Sequence, residues 1–356
     1  MAGNTGLGAA KAAKNDEFYT QWNDIENEVQ AYLEYDPDVF RGKTVLLPCD
    51  DPGASNFTKY FALNFEKFGL KKLISTSCAP RFNPANEKRG RIYILERGAD
   101  LNDGGKLNKE DLRWDYLEGD GDFRSDEVTK LRDEADMVIT NPPFSLFREF
   151  MSWLVEGGME FAVIGNKNAV TYKEIFPLIK DNKMWLGLDK PKDFISPYKD
   201  VSVNGLCWWF TNLEHGRRHE PLPLMTMDDN LRFNNRIMGN PSSYKTYDNY
   251  DAIEVPITVG IPSDYDGVMG VPISFLDKYN PEQFEIMGAT ESEGAGFSEG
   301  LHDGGAVKQA TVDSKRVYKR IFIRHRNLGR KEPQLLSRSR SGQSSLRCKR
   351  ELSHIL

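Results

Sequence analysis

The segment Asn141-Pro142-Pro143-Phe144 contains the residue types in this sequence that are best suited to a chemical reaction. An exocyclic aromatic amine is a weak nucleophile because its lone pair is delocalised into the ring, so an enzyme that alkylates it must accept hydrogen bonds from the amine protons. The Asn141 side-chain oxygen and the Pro142 carbonyl suit this task, since Pro142 and Pro143 restrict the backbone. Phe144 offers a face on which a flipped base can stack.

The apolar run MVIT (137–140) precedes this segment and predicts a buried strand that ends at Asn141. An Asn-Pro-Pro sequence is also an ordinary way to end a strand and turn the chain. Its position after a buried strand favours the catalytic interpretation, because functional groups in open α/β sheets lie at the carboxyl ends of strands.

Asp50 and Asp51 follow the first apolar run of the chain, TVLLP (44–48). A methyl donor has to lie beside the reacting amine, and these carboxylates could meet its positively charged groups or its ribose hydroxyls. Pro52 belongs to the same turn, and Gly53 would permit close approach of the backbone. An Asp-Asp-Pro-Gly turn that binds no ligand is an equally good interpretation.

Two further segments carry weaker signals for the same chemistry. In the Gly-rich stretch 117–123, Asp122 could bond an adenine amino group while Phe123 stacks on its ring, although a solvated acidic turn is an alternative. The ligand spacing of a calcium loop is incomplete there. Tyr19 and Thr20 place an aromatic ring and a hydroxyl before the first strand, where they could close over the methionine portion of a donor.

Strands that alternate with helices must position these residues. Ser55 is a predicted helix N-cap, and the phenylalanines that follow it keep one helix face apolar. We therefore expect an α/β fold with a mostly parallel sheet and helices on both faces. The predicted strands are 44–48, 71–76, 91–96, 136–140, 160–166, 183–188 and 203–210, and the other predicted helices are 146–157 and 172–179.

The composition favours a cytoplasmic protein that carries neither a metal site nor a membrane anchor. No run reaches the length of a membrane span, and the N-terminus lacks the apolar stretch of a secretory signal. The four cysteines are scattered without a CxxC pair, and His215 and His219 have no matching second pair of ligands. Disulfides and structural zinc are therefore not expected.

The C-terminal part of the chain is basic in an otherwise acidic protein. Residues 307–350 carry 14 Lys and Arg against two acids, which suits a nucleic-acid partner. The segment 317–326 alternates apolar and basic residues, as a strand with a cationic outer face would, and we expect Lys319, Arg320, Arg324 and Arg326 near phosphates. Four regions are predicted: a disordered N-terminus (1–14), a catalytic domain (15–212), a target-recognition region (213–326) and a basic low-complexity tail (327–356).

With these pieces in order, the chain resembles the EcoRI-type family of adenine-specific DNA methyltransferases. The resemblance covers roughly residues 15–326, and the Asn-Pro-Pro-Phe tetrapeptide is its least specific part. The glycine-rich loop of methyltransferases in general is reduced here to Asp-Asp-Pro-Gly-Ala-Ser-Asn. The motifs that carry the resemblance are DEFYT (16–20), VLLPCDDPGASNFTKYFALNF (45–65), GDFRSDE (121–127), TNPPF (140–144), VNGLCWWFTN (203–212), YDGVMGVPISFLDKYNPEQFEIMGAT (265–290) and VYKRIFIRHR (317–326).

This resemblance implies a Rossmann-like methyltransferase core in the gamma arrangement, with S-adenosylmethionine as the donor and double-stranded DNA as the substrate. It also implies methylation of the adenine N6 amino group in restriction-modification or phage DNA modification, in a bacterium or a phage-infected host, with a cognate restriction endonuclease as an expected partner. The residues so implied are Asn141, Pro142 and Phe144 for the adenine, Asp51 and Pro52 for the donor site, Asp122 and Phe123 for the adenine of the donor, and Tyr19 and Thr20 for another donor contact.

Other substrates and one other class of protein fit the same residues. Amino methylation of RNA adenine, cytosine N4 or a protein glutamine uses similar loops, although cytosine enzymes often have Ser in the first position and glutamine enzymes usually have Tyr in the last. A DNA-binding protein with an inactive methyltransferase fold is the alternative outside enzymes. The intact tetrapeptide speaks against that alternative.

Overall fold

The computed structural model describes most of the chain from Tyr19 to Arg326. The disordered N-terminus expected at 1–14 and the basic tail expected at 327–356 lie outside the described residues. The described residues are 19–79, 88–97, 113–191, 193–195, 202–204, 206–236, 238–239, 241–290, 298, 300–302 and 309–326.

Strands and helices alternate through the first two thirds of the chain, and short strands dominate the rest. The strands are β1 (Tyr19–Thr20), β2 (Thr44–Leu47), β3 (Lys72–Ser77), β4 (Arg91–Glu96), β5 (Asp115–Tyr116), β6 (Met137–Thr140), β7 (Glu160–Asn166), β8 (Trp185–Leu186), β9 (Asp193–Ile195), β10 (Ser202–Asn204), β11 (Cys207–Thr211), β12 (Lys245–Thr246), β13 (Ile253–Glu254), β14 (Met269–Pro272), β15 (Phe284–Ala289), β16 (Thr311–Val312), β17 (Lys315–Arg316) and β18 (Arg320–His325). The α-helices are α1 (Trp22–Tyr35), α2 (Asn56–Leu63), α3 (Phe65–Phe68), α4 (Asp126–Glu134), α5 (Phe147–Glu156), α6 (Phe176–Lys180) and α7 (Met227–Phe233).

The central sheet has eight strands among the described residues, in the order β5-β4-β3-β2-β6-β7-β11-β8. The four middle strands, β3, β2, β6 and β7, are parallel, and the flanking strands are antiparallel to their neighbours. The expected parallel sheet is thus confirmed at its centre, while the edges make it a mixed sheet.

Both faces of the central sheet are covered by helices. In β2, Val45 and Leu47 pack on one side with α1 and α2, and Leu46 packs on the other side with α4, α5 and α6. Strands buried on both faces are near-continuous apolar runs, which is why TVLL and MVIT were recognisable in the sequence. The predicted α/β fold with a Rossmann-like core is confirmed.

Two of the predicted helices begin where the sequence indicates, and one is shorter than expected. The Ser55 hydroxyl accepts a hydrogen bond from the Phe57 amide and caps α2, as predicted. The predicted helix at 146–157 is α5, which ends at Gly157. The predicted helix at 172–179 is shorter, because a 3-10 helix (Lys167–Thr171) precedes it and α6 begins only at Phe176.

The order of the central strands places a topological switch point at the carboxyl end of the sheet, and we call the space at this point the crevice. The chain goes from β2 to β3 on one side and later returns to β6 on the other side of β2. At such a switch point the connections leave in opposite directions, and the space between them is where open α/β sheets bind ligands. The loops after β2 and β6 border this crevice.

A small three-stranded sheet of β1, β9 and β10 lies apart from the central sheet. The predicted single strand at 203–210 is wrong: β10 belongs to this small sheet, whereas β11 pairs with β7 and β8 in the central sheet. An apolar run shows that a segment is buried, but it does not show where the segment passes from one sheet to another.

The C-terminal region contains a five-stranded sheet in the order β12-β13-β14-β18-β15. The strand expected at 317–326 is confirmed as β18, but its expected cationic outer face is not. Ile321, Phe322 and Ile323 are all buried, with Phe322 in one apolar cluster and the two isoleucines in another. A central strand covered on both faces cannot present a row of charges, so its basic residues are confined to its ends.

One apolar core joins the C-terminal sheet to the central sheet, because Val163 of β7 and Ile323 of β18 belong to the same cluster of buried residues. No helix among the described residues is long and apolar enough to cross a membrane.

Candidate functional site

Two loops border the crevice and carry the strongest candidates from the sequence. We call residues 50–55 the Asp-Asp loop and residues 141–144 the Asn-Pro-Pro-Phe loop. They follow β2 and β6, which are neighbouring parallel strands with Val45 opposite Met137 and Leu46 opposite Val138. Because parallel strands end at the same edge, the structure brings these two loops together, as the sequence predicts.

Asp50 is the buried first residue of the Asp-Asp loop, and its side chain reaches the end of β6. It is 4% exposed, and its carboxylate accepts hydrogen bonds from the Ser55 hydroxyl (2.6 Å) and the Thr140 hydroxyl (2.6 Å). Its carbonyl accepts a hydrogen bond from the Ser75 hydroxyl, and its amide donates to the Thr76 carbonyl. Burial raises the pKa of Asp50 to about 7 against the lowering effect of the two hydroxyls.

Asp51 holds the Asp-Asp loop together with its own side chain. One carboxylate oxygen accepts hydrogen bonds from the Gly53 amide (2.9 Å) and the Ala54 amide (3.0 Å). The other oxygen accepts from the Arg91 guanidinium at 2.9 Å, and the guanidinium also lies over the Trp114 ring. This arrangement leaves Asp51 with 17% of its side chain exposed.

Arg91 and Trp114 were not identified as site residues in the sequence analysis. Arg91 begins β4, whose antiparallel pairing with β3 brings it next to the Asp-Asp loop. Trp114 lies just before β5, and its indole nitrogen would be 3.6 Å from a Cβ atom at Gly53. The sequence held no local signal for either contact, since both depend on the pairing of strands at the edge of the sheet.

The Asn-Pro-Pro-Phe loop leads from β6 into a 3-10 helix (Phe144–Leu146). Asn141 is 8% exposed, and the Pro143 carbonyl accepts a hydrogen bond from the Leu146 amide, which fixes the turn. Phe144 is partly buried, and its ring meets the Phe194 ring edge to face at 6.1 Å between centroids. An amide, a fixed backbone turn and a partly exposed ring therefore occupy one short segment.

Phe194 connects the Asn-Pro-Pro-Phe loop to the N-terminal motif. In the small sheet Thr20 is the register partner of Phe194, and Tyr19 that of Ile195. Phe194 is fully buried and was not identified from the sequence. No local sequence pattern could have identified Phe194, because its partners Phe144 and Thr20 lie about 50 and about 170 residues earlier in the chain.

Thr20 is also tied to the Asp-Asp loop. Its carbonyl accepts a hydrogen bond from the Asn56 side chain at 2.8 Å, and Asn56 is the first residue of α2. The Thr20 hydroxyl is buried and has no hydrogen-bond partner among the described residues. A buried hydroxyl without a partner is costly, so this group is suited to a ligand that supplies one.

The stretch 117–123 lies at the carboxyl end of β3, next to the Asp-Asp loop. Gly121 has a φ of +78°, and a Cβ atom there would lie 2.3 Å from the Ser77 carbonyl oxygen, so only glycine allows this approach. Asp122 is paired with Arg124, which lowers the pKa of its carboxyl group. Phe123 is 3% exposed and packs edge-on against α5.

The four basic residues of β18 and its flanks differ in their surroundings. Arg320 forms a two-pronged ion pair with Glu254, and the side chains are 11% and 12% exposed. Arg324 pairs with Glu285 at the surface, and the Arg326 guanidinium donates to the Phe284 carbonyl. Lys319 donates to the Thr171 hydroxyl, in the 3-10 helix that follows β7.

The chemistry available at the crevice is that of hydrogen-bond acceptors, aromatic rings and carboxylates. Among the described residues, no group of three or more His, Cys, Asp or Glu could hold a metal ion. Burial raises the pKa of the Cys207 thiol to about 12, so that cysteine is a poor nucleophile. The crevice is suited to orient an amine and a positively charged donor.

Comparison with known proteins agrees with this chemistry. The family described as adenine-specific methyltransferase EcoRI matches residues 6–326 of the chain. The Type II methyltransferase M.EcoRI of Escherichia coli is 42% identical, over 92% of this chain and 98% of its own length. The Type II methyltransferase M.MpnI of Mycoplasma pneumoniae is 37% identical, over 89% of this chain and 97% of its own length. No solved structure matched the chain.

Proposed function

Because this chain belongs to the EcoRI family of adenine-specific methyltransferases, we propose that it transfers a methyl group from S-adenosylmethionine to the N6 amino group of adenine within a specific sequence of double-stranded DNA. The observation that carries this proposal is the place of the Asn-Pro-Pro-Phe loop. It borders the crevice at the switch point of the sheet, directly beside the Asp-Asp loop.

The residues around the Asp-Asp loop fit S-adenosylmethionine. The Thr20 hydroxyl, which has no hydrogen-bond partner among the described residues, provides a buried polar group, and its carbonyl accepts from Asn56 at the start of α2. The Asp51 carboxylate, paired with Arg91, provides a polar group on the same loop connection. We assign Tyr19, Thr20, Asp51, Pro52, Asp122 and Phe123 to the donor site, with Asp50 as the buried support of its loop. When bound, S-adenosylmethionine supplies a methyl group activated by a positively charged sulfur.

We assign binding and activation of the target adenine to the Asn-Pro-Pro-Phe loop. The Asn141 side-chain oxygen and the Pro142 carbonyl accept hydrogen bonds from the two N6 hydrogens of the adenine. Both bonds draw electron density back to the nitrogen and favour a tetrahedral geometry, while Pro143 keeps the acceptors fixed. Phe144 stacks on the flipped base, and Phe194 holds the Phe144 ring from the side.

We place target recognition in residues 213–326, whose five-stranded sheet shares a core with the catalytic sheet. Lys319, Arg324 and Arg326 are the basic residues that we assign to phosphate contacts, and Arg320 supports them through its ion pair. The relatives are Type II methyltransferases, which supports a cognate restriction endonuclease as a functional partner and the cytoplasm as the site of action.

Methylation of DNA with a labelled donor tests this proposal. The purified protein should label double-stranded DNA, and digestion to nucleosides should recover the label as N6-methyl-2′-deoxyadenosine. Label in RNA, in cytosine or in protein glutamine would replace the proposed substrate by one of those alternatives.

Asn141→Ala tests the assigned role of the loop. Loss of one of two acceptors made for the transition state should lower turnover by about 100-fold or more, as for single oxyanion-hole donors. Donor binding and DNA binding, measured by titration, should remain close to those of the wild type. A variant that methylates at the wild-type rate would refute the role of Asn141.

A further inference from the structure

Asp50 is the one described side chain whose carboxylate touches both the start of α2 and the end of β6. One of its oxygens accepts from Ser55, the N-cap of α2, and the other accepts from Thr140, the residue directly before Asn141. Ser55 and Thr140 are themselves buried. The carboxylate thus bridges the two loops that form the crevice.

A buried carboxylate is an expensive way to hold two loops together. Burial removes the carboxylate from water and thereby raises its pKa to about 7, against the hydrogen bonds from the Ser55 and Thr140 hydroxyls. A turn alone does not require this group, because Asp51 already bonds the amides of the Asp-Asp loop. The cost points to a role in relative placement of the loops.

We propose that Asp50 is a positioning residue that fixes Asn141 against the Asp-Asp loop through Thr140 and Ser55, and so sets the distance across which the methyl group moves. This inference rests on the proposed function, in which one loop binds the donor and the other binds the adenine. Asp50 is 4% exposed, so the role that we assign to it needs no contact with either ligand. It acts through the hydroxyls on either side of it.

The position of Thr140 explains why this bridge affects catalysis. Thr140 is the last residue of β6, and Asn141 is the next residue of the chain. A displacement of about 1 Å between reacting groups can cost about 100-fold in rate. Release of the Thr140 hydroxyl from Asp50 leaves the strand in place but removes the lateral bond that holds its end.

Thr140→Val and Thr140→Ser are the variants for the test. Asp50→Ala would leave the buried Ser55 and Thr140 hydroxyls without their acceptor and lower stability, so the substitution is made at Thr140 instead. Valine has the shape of threonine and lacks the hydroxyl, and serine keeps the hydroxyl. Thr211→Val is a matched control, since Thr211 is a buried threonine at the end of β11 whose hydroxyl donates to the carbonyl of Phe161 in β7.

The first measurement is the turnover of folded enzyme at saturating donor and DNA, well below the melting temperature. Thr140→Val should lower kcat by about 10-fold, with the dissociation constants of S-adenosylhomocysteine and DNA changed by no more than about 2-fold. Thr140→Ser should restore kcat, and Thr211→Val should lower stability without lowering kcat. A kcat for Thr140→Val equal to that of Thr211→Val would overturn the inference.

The second measurement does not depend on activity. In the wild type, S-adenosylhomocysteine should slow amide hydrogen exchange at residues 144–146, because the bridge transmits order from the Asp-Asp loop to the Asn-Pro-Pro-Phe loop. Thr140→Val should bind the same compound and lose this protection. Equal protection in both proteins would overturn the bridge while the proposed function stands, whereas a wild type that binds no S-adenosylhomocysteine would overturn both.

Discussion

Arg320 and Arg324 lie on the same strand, and we predict that their substitution affects two different properties of the protein. Arg320 is enclosed with Glu254, and the Tyr247 hydroxyl donates to the same carboxylate. Arg324 is about half exposed and pairs with Glu285, which is similarly exposed. Arg320→Gln should therefore impair folding, and Arg324→Gln should impair DNA binding.

The magnitude for Arg320→Gln follows from the charge that it leaves behind. Removal of one partner of a buried ion pair costs about 3–5 kcal/mol, because the remaining charge is uncompensated. In a chain of this size that loss should lower the melting temperature by roughly 5 °C. A double change of Arg320→Gln with Glu254→Gln removes both charges and should regain part of the lost stability.

The magnitude for Arg324→Gln follows from counterion release. In a plot of log K for DNA binding against the logarithm of the salt concentration, each phosphate contact makes the negative slope steeper by about 0.9. Loss of one contact should reduce the slope by about 0.9, whereas the surface pair with Glu285 contributes little to stability. Fluorescence anisotropy on a DNA duplex between 50 mM and 200 mM salt, beside thermal unfolding, measures both quantities. An Arg320→Gln protein with normal stability and a reduced slope would refute this reasoning.

Two further predictions concern Glu28, a buried carboxyl group of α1, and the aromatic contact between Phe144 and Phe194. Burial raises the pKa of the Glu28 carboxyl group from 4.5 to about 7 in the folded protein. Because the unfolded chain loses the Glu28 proton at a lower pH than the folded protein does, the free energy of unfolding falls as the pH rises from about 4.5 to 7. With Glu28→Gln, the free energy of unfolding measured in urea should decrease less between pH 5 and pH 8 than it does in the wild type. An equal decrease in both proteins would contradict burial of the Glu28 carboxyl group. Phe194→Leu should leave the protein folded, at a cost of about 1 kcal/mol, yet raise the KM for DNA because Phe144 loses its edge contact; an unchanged KM would show that this contact is unimportant.

The middle of the fold could be predicted from the sequence because its strands are buried on both faces. β7 was expected at 160–166 and lies at those residues, and β6 ends directly before Asn141 as expected. Ser55 was identifiable because an N-cap followed by a row of phenylalanines has a local signature. At the site, the loops after β2 and β6 follow from the same reasoning, since adjacent parallel strands end together.

The remaining features depend on contacts between distant residues. The pairing of Arg320 with Glu254 joins residues 66 positions apart, and no periodicity in 317–326 shows that both faces of β18 are covered. The same is true of the contact between Phe144 and Phe194. Asp50 was placed at the right edge of the sheet, but only its neighbours show that its carboxylate is directed at two hydroxyls.

The Asp-Asp loop also explains how a short loop with one glycine can replace a glycine-rich one. Gly-rich loops of dinucleotide-binding folds leave backbone amides open to a pyrophosphate at the start of a helix. Here the Asp51 carboxylate accepts from the Gly53 and Ala54 amides, and the Ser55 hydroxyl accepts from the Phe57 amide. The amides that would hold a phosphate are thus already used, and the carboxylate that uses them is itself paired with the Arg91 guanidinium. A loop whose amides are used in this way is poorly suited to an anionic cofactor, which agrees with the S-adenosylmethionine that we propose as the donor.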